Sequence, residues 1–168
     1  MGKRSNFERK EFDFYPTPLQ AVIPLFPHVS GSFIEPCAGD GRLIRHLEQN
    51  GLTCAYACDL EPKGEGIEKR DVLFFDSSFP EADLIITNPP WDRKSLHEMI
   101  GMFRHHAPTW LLFDSDWMFT GQAKPHLKFC QKIVSIGRVS WMENGQAGMD
   151  NCCWYLFGKE ESETIFLP

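Results

Sequence analysis

Ser32-Phe33-Ile34-Glu35-Pro36-Cys37-Ala38-Gly39-Asp40-Gly41-Arg42-Leu43-Ile44 is the stretch on which the fold turns. Its first four residues read as a short apolar strand, and a loop with two glycines leads into a helix over Arg42–Gln49 that ends at Asn50-Gly51. A second strand, Thr53–Leu60, follows, so the segment is a βαβ unit. Gly39 and Gly41 permit a tight turn and let a ligand come close to the backbone, while the helix start offers unpaired N–H groups.

The same alternation continues downstream. Val72–Phe75 reads as a short third strand, Asp83–Thr87 as a buried fourth and Thr109–Phe113 as a fifth. Between them, Ser95–His106 carries Leu96, Met99, Ile100 and Phe103 at helical spacing, and Lys124–Gln131 reads as a further helix. Ile133–Met142 and Cys152–Phe157, separated by the Gly-containing Glu143–Asn151, read as an antiparallel hairpin. The expectation is an α/β chain with a mostly parallel, seven-stranded sheet, and in such sheets ligands bind at the carboxyl ends of the strands.

A length of 168 residues argues for one domain, and 42% hydrophobic with 24% charged residues excludes disorder as the default. The chain lacks a long uncharged apolar run, and Met1–Lys10 is too charged for a signal-peptide apolar region; the reading is an intracellular protein. The six cysteines form no CxxC pair and have no His in zinc spacing, which favours reduced thiols over a disulfide framework or a metal site. The net charge of -6 argues against a large, sequence-blind nucleic-acid surface. Lys3, Arg4, Arg9 and Lys10 against Glu8 give residues 1–10 a balance of +3, leaving -9 on the other 158. Residues 1–11 therefore read as a basic arm and 12–168 as the domain; the bland alternative for the arm is a terminus without a partner.

Three features carry chemistry. In the glycine loop, Ile44 stands where a dinucleotide fingerprint has its third glycine, and no Lys-Ser/Thr follows, so neither a nicotinamide nor a nucleotide triphosphate is favoured. The flanking Glu35 and Asp40 suit a ligand with positive charge, such as a sulfonium cofactor bearing an ammonium group. Asp59, 18 residues after Gly41 at the end of the second strand, can accept both hydroxyls of a ribose; the alternative is a solvated strand-end acid. Asp71 can accept from an adenine amino group or serve as a turn cap. Third, Asn88-Pro89-Pro90-Trp91 follows the apolar strand. Its prolines have no N–H, leaving carbonyls as acceptors, and the Asn88 oxygen adds another. Two acceptors on the hydrogens of a ring-conjugated amine favour the pyramidal nitrogen that attack requires, and Trp91 offers a face for stacking a base. A Pro-rich turn anchored by a Trp is the bland reading.

Phe14-Tyr15-Pro16-Thr17-Pro18, Glu35-Pro36-Cys37-Ala38-Gly39-Asp40-Gly41, Asp59, Asp71 and Asn88-Pro89-Pro90-Trp91, in that order, resemble the S-adenosylmethionine-dependent adenine-N6 DNA methyltransferases, especially small phage and prophage versions. The closing segment Trp141–Phe157 is similar to their terminal hairpin, and the resemblance covers roughly residues 12 to 157. It implies a Rossmann-like class I methyltransferase fold, with Tyr15, Thr17 and Pro18 at the methionine part of the cofactor and Glu35, Gly39 and Gly41 at its centre. Asp59 is then at its ribose, Asp71 at its adenine and Asn88 beside it. Asn88, Pro89 and Pro90 grip the target amine of a flipped base on which Trp91 stacks. The implied partner is nucleic acid, DNA first, in the cytoplasm of a bacterium or phage-infected host. The chain departs from larger relatives in lacking a separate target-recognition domain. Specificity must then come from the arm, Arg93 and Lys94, Asp114–His126 or Glu143–Asn151, and for Arg93-Lys94 the alternative is a solvated helix entry. Related motifs occur in methyltransferases of RNA bases and of protein glutamine; those acting on glutamine usually have Tyr in the fourth position, so Trp91 favours a nucleobase and RNA stays open. A catalytically silent binding module is the rival of another class. The sequence leaves the oligomeric state open, a homodimer included.

Overall fold

Strands covered on both faces need apolar side chains in both directions of the pleat, and the central strands of this chain have them. The computed structural model describes residues 15–74, 78–141, 148 and 150–168. The basic arm, Phe14, Phe75, Met142 and most of Glu143–Asn151 lie outside the described residues. Eight strands form one sheet: β1 (Ser32–Glu35), β2 (Thr53–Asp59), β3 (Glu68–Lys69), β4 (Leu84–Thr87), β5 (Thr109–Asp114), β6 (Cys130–Arg138), β7 (Asn151–Phe157) and β8 (Ile165–Leu167). The helices are α1 (Leu19–Val22), α2 (Arg42–Gln49), α3 (Arg93–His106) and α4 (Lys124–Leu127).

Alternate residues feed two cores. Ile34, Ile85, Leu111, Phe113, Tyr155 and Phe157 pack with Leu96, Met99, Ile100 and Phe103 of α3 on one face. Phe33, Ile86, Trp110, Leu112, Trp154 and Leu156 pack with Ala21, Val22, Leu43 and Leu47 of α1 and α2 on the other. Asp92 caps α3, accepting from the Ser95 N–H at 3.1 Å, so this helix starts two residues before the expected Ser95.

The strand order is β3-β2-β1-β4-β5-β7-β6-β8. The chain runs outward from β1 through β2 to β3, then returns to pair β4 with the other side of β1 and proceeds to β5, all parallel. β7 is antiparallel to both β5 and β6, as the expected closing hairpin requires. The reversal between β1 and β4 is a topological switch point, where the loops after the two strands diverge and leave a crevice. It brings the glycine loop and the Asn88–Trp91 loop to one edge of the sheet.

Three expectations are corrected. The third strand is Glu68–Lys69, and Val72–Phe74 is a 3-10 turn whose first turn Asp71 caps by accepting from the Leu73 N–H at 2.9 Å. Among the described residues the sheet has eight strands rather than seven, because the three-residue β8 adds to the free edge of β6 in parallel, a pairing too short to leave a pattern. The helix expected to reach Gln131 stops at Leu127, since Cys130 already pairs with Phe157 of β7.

Candidate functional site

At the switch point lies a cleft of about 350 Å³. Of the residues singled out from sequence, Tyr15, Thr17, Glu35, Gly39, Asp59, Asp71, Asn88 and Pro90 line it. Segments from four separate parts of the chain thus meet in one place.

Its acidic wall is built by strand ends. Gly39 and Gly41 both have positive φ, 53° and 74°, which lets the chain reverse after β1 and enter α2 within a few residues. This turn directs the Gly39 N–H to Asp59 Oδ2 at 2.7 Å, and the Glu61 N–H reaches Asp59 Oδ1 at 2.8 Å. Each oxygen keeps a further lone pair, so the carboxylate is aimed by backbone and still able to accept. Glu35, the last residue of β1, is 1% exposed, and its Oε2 has no hydrogen-bond partner. Burial, reinforced by Asp59 and Asp40, raises its pKa well above the ordinary carboxylate range. A buried acid without a partner that faces a cleft is a site waiting for a donor or a cation. With Asp40, Glu61, Asp71 and Asp92 also lining the cleft and Lys63 the one basic residue among the described residues that line it, the wall is strongly acidic.

Opposite stands the loop after β4. The Asn88 Nδ2 donates to the Tyr15 carbonyl at 3.3 Å and to Thr17 Oγ1 at 3.2 Å, tying this loop to a segment more than 70 residues earlier. The Trp91 Nε1–H donates to Asn88 Oδ1 at 3.3 Å and to the Leu112 carbonyl at 3.1 Å. Trp91 is half-buried between the two cores, with Trp141 set edge-on to it at 5.7 Å and Trp141 in turn edge-on to Tyr15 at 6.5 Å. It is not among the cleft-lining residues.

Pro18, Gly41, Pro89, Arg93 and Lys94 also lie away from the cleft wall. Pro18 accepts from the Ala21 N–H at the start of α1, Gly41 caps α2, and Pro89 is buried. Arg93 is engaged by Asp114, Nη2 to Oδ2 at 2.7 Å, which ties the start of α3 to the end of β5, while Lys94 is exposed.

Sequence reading missed the apolar part of the wall. Leu60 and Leu73 line the cleft beside Asp59 and Asp71 and remain 47% and 38% exposed. Two leucines placed next to two acids at strand and turn ends were the available signal, a greasy slot beside polar acceptors. Cys37 also lines the cleft, and burial pushes its thiol well above the ordinary range. All six cysteines are free thiols. Among the described residues no helix is long and apolar enough to cross a membrane.

No family model matches the chain, and no curated protein does. Solved structures do. A Listeria monocytogenes protein assigned as a class I S-adenosylmethionine-dependent methyltransferase superposes with a TM-score of 0.55 at 11% identity, over 88% of this chain and 61% of its own. A Pyrococcus horikoshii protein assigned as an RNA methyltransferase gives 0.57 at 14% identity, over 94% and 93%. A dimethyladenosine transferase from Plasmodium falciparum gives 0.55 at 13%, over 87% and 63%. The chain thus spans about three fifths of the Listeria and Plasmodium proteins and nearly all of the Pyrococcus one. At such identities the likeness is one of architecture, and it agrees with the strand order and the closing hairpin: the chain has the Rossmann-like class I methyltransferase fold.

Proposed function

We propose that the protein is an S-adenosylmethionine-dependent methyltransferase acting on the N6 amino group of adenine in DNA. The observation that carries the reading is that Asn88 and the acids Glu35 and Asp59 line one cleft, so an amine gripped by the first lies next to whatever the second bind.

The acids fit the cofactor. Asp59 has two aimed oxygens for the ribose hydroxyls, the unpartnered Glu35 answers a cationic ligand, and Leu60 and Leu73 offer apolar surface for a planar base near Asp71. When bound, S-adenosylmethionine supplies a methyl group made electrophilic by the sulfonium. The rest is done by the chain. Asn88 Oδ1 uses one lone pair on Trp91 and keeps the other for a hydrogen of the target amine. Pro89 and Pro90 have no main-chain N–H, so the carbonyls of this loop are left as acceptors for the amine. These acceptors localise the nitrogen lone pair, and the rigid loop aligns it, so rate comes from orientation and a preformed polar cage. A nucleobase is favoured over a protein side chain by the Trp in the fourth position of the motif, and DNA by the order of motifs shared with the DNA enzymes. The -9 outside the N-terminal ten residues makes the arm Lys3, Arg4, Arg9 and Lys10 the natural contact for phosphates, with the exposed Lys94 as a second.

Mass spectrometry of nucleosides from cells expressing the chain, with Asn88→Ala as the control, tests the reading. N6-methyldeoxyadenosine that depends on Asn88 is the expected result. Methylation confined to RNA nucleosides moves the substrate to RNA, and no new methyl group on either nucleic acid overturns the proposal.

A further inference from the structure

Thr17 is one of the few buried polar side chains among the described residues, 5% exposed, and its hydroxyl accepts from Asn88 Nδ2. The Tyr15 carbonyl takes the same amide nitrogen, and the Trp91 N–H approaches the amide oxygen. Both amide hydrogens are therefore directed to one segment and the oxygen to another. Turning the amide by half a revolution would set its oxygen against the Tyr15 carbonyl and its NH2 against the Trp91 N–H, acceptor on acceptor and donor on donor. Three neighbours thus fix the orientation of the Asn88 amide. Two of them cannot be removed cleanly: one is main chain, and the other is an indole packed between the two cores. The Thr17 hydroxyl is the one that an isosteric substitution deletes.

We propose that Thr17 is a positioning residue for the reaction, whose hydroxyl holds the Asn88 side chain with its oxygen toward the target amine, rather than a ligand of the cofactor. The inference rests on the proposed function. The Thr17 side chain is buried, and its hydroxyl commits a lone pair to the Asn88 amide, which is the contact the inference rests on. On this proposal its loss acts on turnover more than on cofactor affinity.

The test uses the full chain with Thr17→Val, which keeps the shape and removes the acceptor, and Thr17→Ser, which keeps the oxygen. Calorimetry with S-adenosylmethionine should give Thr17→Val a Kd within about threefold of wild type, whereas its kcat for methyl transfer at saturating cofactor and DNA should fall about 10- to 100-fold. Thr17→Ser should restore most of that loss. A second readout needs no activity: in 15N-labelled protein the Asn88 side-chain NH2 signals, identified by their absence from Asn88→Ala, should exchange with solvent about tenfold faster in Thr17→Val. An active wild type alongside a Thr17→Val protein with unchanged kcat, unchanged amide exchange, or a loss confined to cofactor Kd overturns this inference and leaves the function standing. A wild-type chain that binds S-adenosylmethionine and transfers no methyl overturns the function, and the positioning role with it.

Discussion

The two walls of the cleft are built on opposite plans. On the β1–β2 side, Asp59 is aimed by backbone N–H groups and Glu35 has an oxygen with no partner, so the carboxylates are left with acceptor capacity to spare. On the β4 side, the Asn88 amide is engaged on both ends and Trp91 is bonded to Asn88 and to β5. Unsatisfied acceptors in a cleft lower the stability of the free protein and repay it on binding a complementary ligand. A side chain locked by its neighbours does little for affinity and a great deal for alignment. On the proposed function, the difference assigns holding to one wall and orienting to the other.

Substitutions should separate along that line, and the largest effect belongs to the orienting wall. Asn88→Ala should lower kcat by about 10²- to 10³-fold, the scale of removing one preformed polar group from a reacting centre, with S-adenosylmethionine affinity nearly intact. Steady-state methyl transfer beside calorimetry reads both, and a mainly affinity-based defect would break the division of labour. The converse follows for Asp59→Ala, which should weaken cofactor binding by about 1.5–3 kcal/mol, the range for hydrogen bonds to a charged group. Unchanged affinity in a titration would remove Asp59 from the site.

A smaller effect is expected from Glu35→Gln. Since burial raises the folded pKa of Glu35 above its unfolded value, the unfolded chain gives up this proton first as pH rises. The free protein therefore loses stability from the ordinary carboxylate pKa up to the raised folded one, and below that window the loss is absent. The Gln variant should flatten this slope and melt higher at neutral pH, by about 2–4 °C for each kcal/mol recovered, while binding the cationic cofactor more weakly. Thermal melts from mildly acidic to neutral pH decide it; a variant less stable than wild type on the neutral side would mean that Glu35 is satisfied in the free protein. The smallest change is Trp91→Phe, which keeps an aromatic ring in the packing, trims the indole and deletes the N–H. About 0.5–1.5 kcal/mol of stability and a part of the rate should go. Trp91→Ala should lose more activity than Trp91→Phe together with nucleic-acid affinity, and equal rates in the two variants would reduce Trp91 to packing.

Much of the holding wall was legible in the chain itself, because its signals are local. An apolar four-residue run, two glycines needing positive φ, a helix start and an acid at the next strand end lie within residues 32–59, and each acts through its own backbone neighbourhood. The orienting wall was legible only in outline. Asn88-Pro89-Pro90-Trp91 stands out as a motif, yet neither the partners of the Asn88 amide nor the half-buried setting of Trp91 can be read from it. Those partners come from residues 15–17 and from β5, and Trp141 joins from the far end of β6. Arg93 shows the same limit, since a basic residue at a helix entry looks available until Asp114 of β5 is placed beside it.

The sequence by itself determined the alternating elements, the direction of most strands, the turn glycines and the acidity of the site, since periodicity, φ preference and charge are properties of neighbours along the chain. Only the tertiary structure decided that β4 returns to the other side of β1, that a three-residue β8 completes the sheet, and which of the polar side chains are engaged and which are left to bind. The physical reason is that hydrogen-bond partners over 70 residues apart are selected by the packing of two cores against one sheet, and no local pattern along the chain encodes that choice.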